Sequence, residues 1–170
     1  YDREPWIRAL SRHIQDWAER SVPMLGICFG HQLIAQALGG RVETNPFGWE
    51  LGYHQISLTE AGQADWFYSG SPKSFPALQS DRDAVIAMPP GAVCLACSDQ
   101  CAIQSFAMGE RIRTVQFHPE FSVGTMRAIL DFFAAPFLAD GIDLGPIQRT
   151  VAECPASRGL LSHFLQHWAG

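Results

Sequence analysis

Gly26-Ile27-Cys28-Phe29-Gly30-His31-Gln32 follows the apolar run Val22-Pro23-Met24-Leu25 and precedes Leu33-Ile34-Ala35-Gln36-Ala37-Leu38-Gly39-Gly40. The order reads as strand, sharp turn, helix. Residues 22–27 are apolar on both faces, the pattern of a central parallel strand covered from two sides. Residues 30–38 form the helix, and Gly39-Gly40 ends it. A strand that runs through a tight turn into a helix sets the class as α/β. At the turn sits a cysteine, flanked two residues away on each side by glycine. G-x-C-x-G is the thiol counterpart of the nucleophile elbow, in which a strained turn presents a nucleophile and small neighbours admit a substrate. The helix N-terminus behind Cys28 favours thiolate over thiol, so the turn is expected to activate the residue it presents.

Further along, Arg111-Ile112-Arg113-Thr114-Val115-Gln116-Phe117 reads as a strand with His118-Pro119-Glu120 at its end. A cysteine nucleophile needs a base, and the base needs an orienting group. His118 can take the thiol proton, and Glu120 can fix the imidazole and stabilise its cation. Pro119 keeps the backbone extended between the two.

G-I-C-F-G-H-Q, paired with the downstream Q-F-H-P-E, resembles the class I (triad) glutamine amidotransferases, the branch similar to the glutaminase domain of GMP synthase. The likeness runs from about residue 6 to residue 121. It implies a flavodoxin-like, doubly wound, mostly parallel sheet with helices on both faces, and hydrolysis of the side-chain amide of glutamine. Carried over by position, Cys28 is the nucleophile, His118 the base and Glu120 its orienter. Phe29 supplies an oxyanion-hole N–H and Gln32 helps hold the glutamine. The resemblance implies a γ-glutamyl thioester as intermediate, no metal or organic cofactor, a small-molecule substrate, and a separate synthase chain as a partner for the ammonia.

Two features depart from the family pattern. The chain begins with Tyr1, within what the family has as the middle of the domain. The family's first strands, and a glycine-containing loop with a second oxyanion N–H, would precede it. The expectation is one glutamine amidotransferase-like domain over residues 1–170, N-terminally incomplete. Second, Gln79-Ser80-Asp81-Arg82-Asp83 matches a segment that usually reads Ser-His-x-Asp, with Asp81 where the histidine stands. Asp81 is a candidate substrate contact, for instance for the α-amino group. An extra carboxylate also favours a second enzyme reading, a γ-glutamyl hydrolase or peptidase acting on an amide with an amine-bearing leaving group. A third reading is an inactive binding or regulatory homologue.

Composition fits a domain with a full core. Apolar residues are 47% and charged residues 17% of 170, and the net charge is −5. Lys73 is the one lysine, and no basic block is present, which argues against nucleic-acid binding through a charged patch. No apolar run reaches the length of a membrane span. Five cysteines, an odd number with no framework spacing, favour a reducing compartment, and the expected location is cytoplasmic. Cys94, Cys97 and Cys101 invite a metal reading, but residues three apart on a strand face opposite ways, so small buried hydrophobes are the expectation.

The remaining elements are read from periodicity. Residues 4–20 place Trp6, Ile7, Leu10, Ile14 and Trp17 at helical spacing, with Pro5 suited to the first turn. An irregular region begins at Arg41, and Asn45-Pro46-Phe47-Gly48 marks a turn. Residues 51–58 read as an outer strand, with His54 a polar residue on its half-exposed face. Strands are expected over 92–98, 102–107 and 112–117, the last two joined through Met108-Gly109-Glu110. Ser122 caps a helix over 123–134, and residues 159–168 form a last amphipathic helix. His31 falls on the first turn of the helix after the elbow, where a structural role is expected.

Overall fold

The computed structural model describes residues 4–169. The first element, α1 (Pro5–Glu19), starts on Pro5 and buries Ile7 and Ile14. It leads to β1 (Met24–Ile27), the elbow, and α2 (Phe29–Ala37). After β2 (Arg41–Thr44) come β3 (Glu50–Leu58), α3 (Glu60–Ala64) and a 3₁₀ turn at Trp66–Tyr68. The middle of the chain is β4 (Ser74–Asp81), β5 (Asp83–Ala87), β6 (Val93–Cys97), β7 (Ser105–Met108) and β8 (Ile112–Val115). It closes with α4 (Val123–Phe132), α5 (Ala134–Ala139), α6 (Leu144–Thr150) and α7 (Pro155–Trp168).

Six strands form one sheet in the order β1-β8-β7-β6-β3-β4, and β2 and β5 form a separate antiparallel pair. The parallel pairing expected to dominate is confined to β1 and β8, where Ile27 sits opposite Val115. The other pairings of this sheet are antiparallel. The reason is connection length: a link as short as residues 109–111 between β7 and β8 can close a hairpin, whereas a parallel pair needs a crossover of a dozen residues or more. The sheet is therefore mixed, with helices on both sides.

Residues 51–58 do not form an outer strand. β4 covers the far edge of β3 in a register running from Glu50 opposite Asp81 to Ser57 opposite Ser74. The stretch expected to be irregular from Arg41 forms β2 instead.

Three apolar clusters bury the sheet. On one face Ile56, Phe67, Phe75, Val115 and Phe117 pack with Leu160 of α7. On the other, α1 and α2 bring Ile14, Leu33 and Ile34 against Phe106 and Ile112. At the far end Leu51 and Leu78 meet Met126 and Leu130 of α4, Phe137 of α5 and Leu144 of α6. The cysteines of β6 are half-buried and not fully enclosed, since only Leu95 and Ala96 of that strand reach the core. Cys101 and Cys154 are buried, and all five thiols are free. Among the described residues no helix is long and apolar enough to cross a membrane.

Candidate active site

β1 and β8 run side by side in parallel, so their C-terminal ends lie together. In open α/β sheets this end of the strands is where ligands bind. Cys28 is the first residue after β1 and donates its backbone N–H to Val115, the last residue of β8, at 2.9 Å. His118 follows three residues later. The pairing of two strands thus brings the two sequence motifs to one sheet end.

The elbow has the backbone expected of it. Cys28 has φ 48° and ψ −105°, a conformation that L residues rarely hold. Such strain costs on the order of 1–3 kcal/mol and persists only where the surroundings enforce it. Here they do. A Cβ on Gly26 would stand 2.8 Å from Ile34 Cδ1 and 2.9 Å from the carbonyl carbon and oxygen of Gly30, so the first turn of α2 packs directly on β1. A Cβ on Gly30 would meet nothing within 4 Å, so this side of the first turn of α2 is open.

His118 Nδ1 lies 2.7 Å from Glu120 Oε1. The imidazole also stacks on the Phe121 ring, with centroids 3.9 Å apart and planes 5° from parallel. Its backbone N–H donates to the Leu78 carbonyl at 2.9 Å, which ties His118 to β4. With Nδ1 directed at Glu120, Nε2 is the ring nitrogen left to exchange a proton with a thiol or a substrate.

The electrostatics differ from the expectation of an activated thiolate. Cys28 is pushed up to about 12, mainly because burial disfavours the charged form. The negative charges of Asp81 and Glu120 add to this, while the Phe29 N–H pulls the other way through a hydrogen bond to the sulfur. The helix N-terminus does act on Cys28, but burial and two carboxylates outweigh it. Phe29 therefore presents its N–H at the Cys28 sulfur.

Gln32 is buried, and its amide nitrogen donates to the Asp83 carbonyl at 2.8 Å and to Gln116 Oε1 at 3.1 Å. Gln116 in turn points its own amide nitrogen at Cys28 Sγ, 3.7 Å away. Gln116 opens the Q-F-H-P-E motif and Phe121 follows it, but the sequence alone assigns neither a contact. His31 is fully buried against Thr114 Oγ1 at 2.8 Å and against the Phe106 ring. Burial pulls it down to about 3, so it is neutral and held in the core. His54 is half-buried and bonds the Leu51 carbonyl at 3.1 Å.

Asp81 ends β4 at 4% exposure, and neither of its carboxylate oxygens has a hydrogen-bond partner. Its cross-strand neighbour Glu50 is also buried but fully served. Glu50 accepts from Gln79 Nε2 at 3.0 Å, Ser98 Oγ at 2.8 Å and Gln104 Nε2 at 2.9 Å. Burial first, then the charges of Glu50 and Asp83, hold the Asp81 carboxyl well above the usual carboxylate range. No group of His, Cys, Asp or Glu side chains among the described residues is placed to hold a metal ion.

The family model for glutamine amidotransferase class-I matches residues 4–135. The chain belongs to the class I glutamine amidotransferase family. It is 30% identical over 129 residues to gamma-glutamyl peptidase 3 of Arabidopsis thaliana, covering 74% of this chain and 52% of that one. It is 36% identical over 111 residues to a component of the glutamine-hydrolyzing GMP synthase of Halobacterium salinarum, covering 64% of this chain and 58% of that one. In general the chain spans about half the length of the curated relatives it matches. Its fold matches a glutamine amidotransferase from Thermotoga maritima with TM-score 0.82 at 24% identity, over 98% of this chain and 70% of the other. The flavodoxin-like fold expected of the family is thus the fold found.

Proposed function

We propose that this amidotransferase-family chain hydrolyses the side-chain amide of glutamine or of a related γ-glutamyl compound through a Cys28–His118–Glu120 triad. The observation that carries the reading is the strained elbow at Cys28, set beside a strand whose end holds His118 and Glu120 at 2.7 Å. In this reading the Cys28 proton passes to His118, and the sulfur attacks the amide carbon. The oxyanion meets the Phe29 N–H, one donor of a hole whose loss costs roughly 10²–10³ in rate. His118, now protonated and steadied by Glu120, gives its proton to the leaving nitrogen. Water deprotonated by His118 then cleaves the γ-glutamyl thioester. Gln116 reaches Cys28 Sγ and Gln32 holds Gln116, and the two are proposed to keep the substrate amide in place.

Asp81 favours a second reading of the substrate, a γ-glutamyl amide other than glutamine, as in the gamma-glutamyl peptidases among the relatives. If glutamine is the substrate, a separate synthase chain would take the ammonia, in keeping with the relatives named as one component of a GMP synthase. Free thiols support a reducing, cytoplasmic setting.

The test is the mass of the protein after incubation with a glutamine-like chloroketone, alongside glutamate release from glutamine. One adduct, on Cys28 and lost in Cys28→Ala, is expected together with turnover. An intact, folded protein with neither adduct nor turnover on glutamine or on γ-glutamyl amines would overturn the reading.

A further inference from the structure

A carboxyl group at 4% exposure normally has donors, because an unserved buried charge costs several kcal/mol. Asp81 has none at either oxygen. Its position is fixed on both sides by contacts to the catalytic elements. Leu78, three residues before it, accepts the His118 backbone N–H, and Asp83, two residues after it, accepts the Gln32 amide that leads through Gln116 to Cys28 Sγ. Asp81 thus lies on the stretch of chain between the base and the nucleophile.

The surrounding charges define what kind of group can serve these two oxygens. Glu50 faces Asp81 across the strands with both oxygens already served, and the Asp83 carboxylate is engaged by Thr44 Oγ1 at 2.9 Å. Glu120 adds a further negative charge near Cys28. The cations do not compensate. Arg82 turns away to Asp140 at 3.1 Å and lies over the Trp49 ring. His54 stands 3.9 Å from Glu50, His118 serves Glu120, and His31 is neutral. A neutral N–H donor would leave a negative cluster uncompensated. An ammonium group supplies hydrogen-bond donors and the missing charge together.

We propose that Asp81 is the receptor for an ammonium group of the substrate, and that docking of this ammonium relieves the negative field on Cys28 and so readies the thiol to pass its proton to His118. This rests on reading Cys28 as the nucleophile. It makes attack conditional on a correctly charged substrate: the resting site holds a thiol, and the substrate's own charge produces the thiolate. The chemistry is shared by two sources, the α-ammonium of the glutamyl half and an ammonium carried by the leaving amine.

The test measures how fast iodoacetamide alkylates Cys28 at pH 8, located by peptide mass spectrometry, in the whole chain and in Asp81→Asn. Matched ligands cancel simple shielding: L-glutamate against glutarate, and butylamine against butanol. In the native protein the ammonium-bearing member of one pair is expected to give alkylation about tenfold faster than its partner without the ammonium, which is one pH unit in the thiol's titration. In Asp81→Asn the unliganded rate rises by a similar factor and the ratio falls to about one. The responding pair identifies the source. Equal rates within both pairs, or the same ratio retained in Asp81→Asn, would overturn the proposal. Asp81→His, which restores the family's residue, is read in the same way should the asparagine variant not fold. Because the readout is alkylation and not turnover, an ammonium effect without hydrolysis would refute the proposed reaction alone.

Discussion

At the scale of single residues, the least comfortable group in the molecule is Asp81, and its discomfort should be measurable as stability. Its carboxyl is held above the ordinary carboxylate range by burial and by Glu50 and Asp83. The folded state therefore binds the Asp81 proton more tightly than the unfolded state does. Stability from this group is complete below the unfolded value near pH 4 and is lost as pH rises through the folded value. Above that, a charged and unserved carboxylate remains in the interior. Asp81→Asn removes the charge and keeps the shape. The variant is expected to be more stable than the native protein at pH 8, because the asparagine has no charge to bury, with the advantage vanishing towards pH 4. Urea denaturation at the two pH values checks this, and an equal effect at both would contradict it. Residues kept at the expense of stability are common where function needs them.

At the scale of elements, the elbow depends on how closely α2 approaches β1. Gly26 has no room for a Cβ, since the groups it would meet include the Gly30 backbone. Gly26→Ala is expected to destabilise the fold by about 1–3 kcal/mol, the usual cost of overpacking, and to lower kcat by tenfold or more through displacement of Cys28. Gly30→Ala meets open space and is expected to leave the melting temperature unchanged or slightly higher. Thermal denaturation and amide hydrolysis, measured on both variants, separate the two glycines. This contrast also shows where the sequence is readable. The strand-turn-helix around Cys28 and the His118–Glu120 pair are local patterns, so spacing alone reveals them. β4 is hidden because Pro76, Gln79, Ser80 and Asp81 break the alternation of a strand. Its β character comes from pairing with β3, a contact distant along the chain. Gln116 and Phe121 are hidden for the same reason: their roles come from the sulfur and the ring they touch in space. The thiol's protonation also lies outside local reading, because Asp81 reaches Cys28 only once β4 is in place.

At the scale of the whole molecule, two arginines show which charges hold the architecture. Arg113 on β8 is 5% exposed and bonds Asp65 at 2.9 Å, with the Trp66 ring 4.9 Å from its guanidinium carbon. It also donates to the Gly109 carbonyl. One side chain therefore ties the 3₁₀ turn, which packs under α7, to the β7–β8 hairpin and hence to the strand that leads into His118. Arg82 and Asp140 form an ion pair of similar length, 3.1 Å, but at 52% and 37% exposure. In the first pair, at 5% and 12% exposure, both charges are largely cut off from water; in the second neither is. Breaking a buried pair by removing one partner strands the other charge and costs about 3–5 kcal/mol, whereas an exposed pair contributes about 0–1 kcal/mol. Arg113→Ala is expected to approach the upper range and to lower the yield of folded protein, while Arg82→Ala stays within about 1 kcal/mol and keeps its activity per folded molecule. Denaturant midpoints for the two variants decide the matter. Equal losses would mean that the loop after β4 is held as firmly as the strand bearing His118, and that the site is anchored from the β4 side as much as from β8.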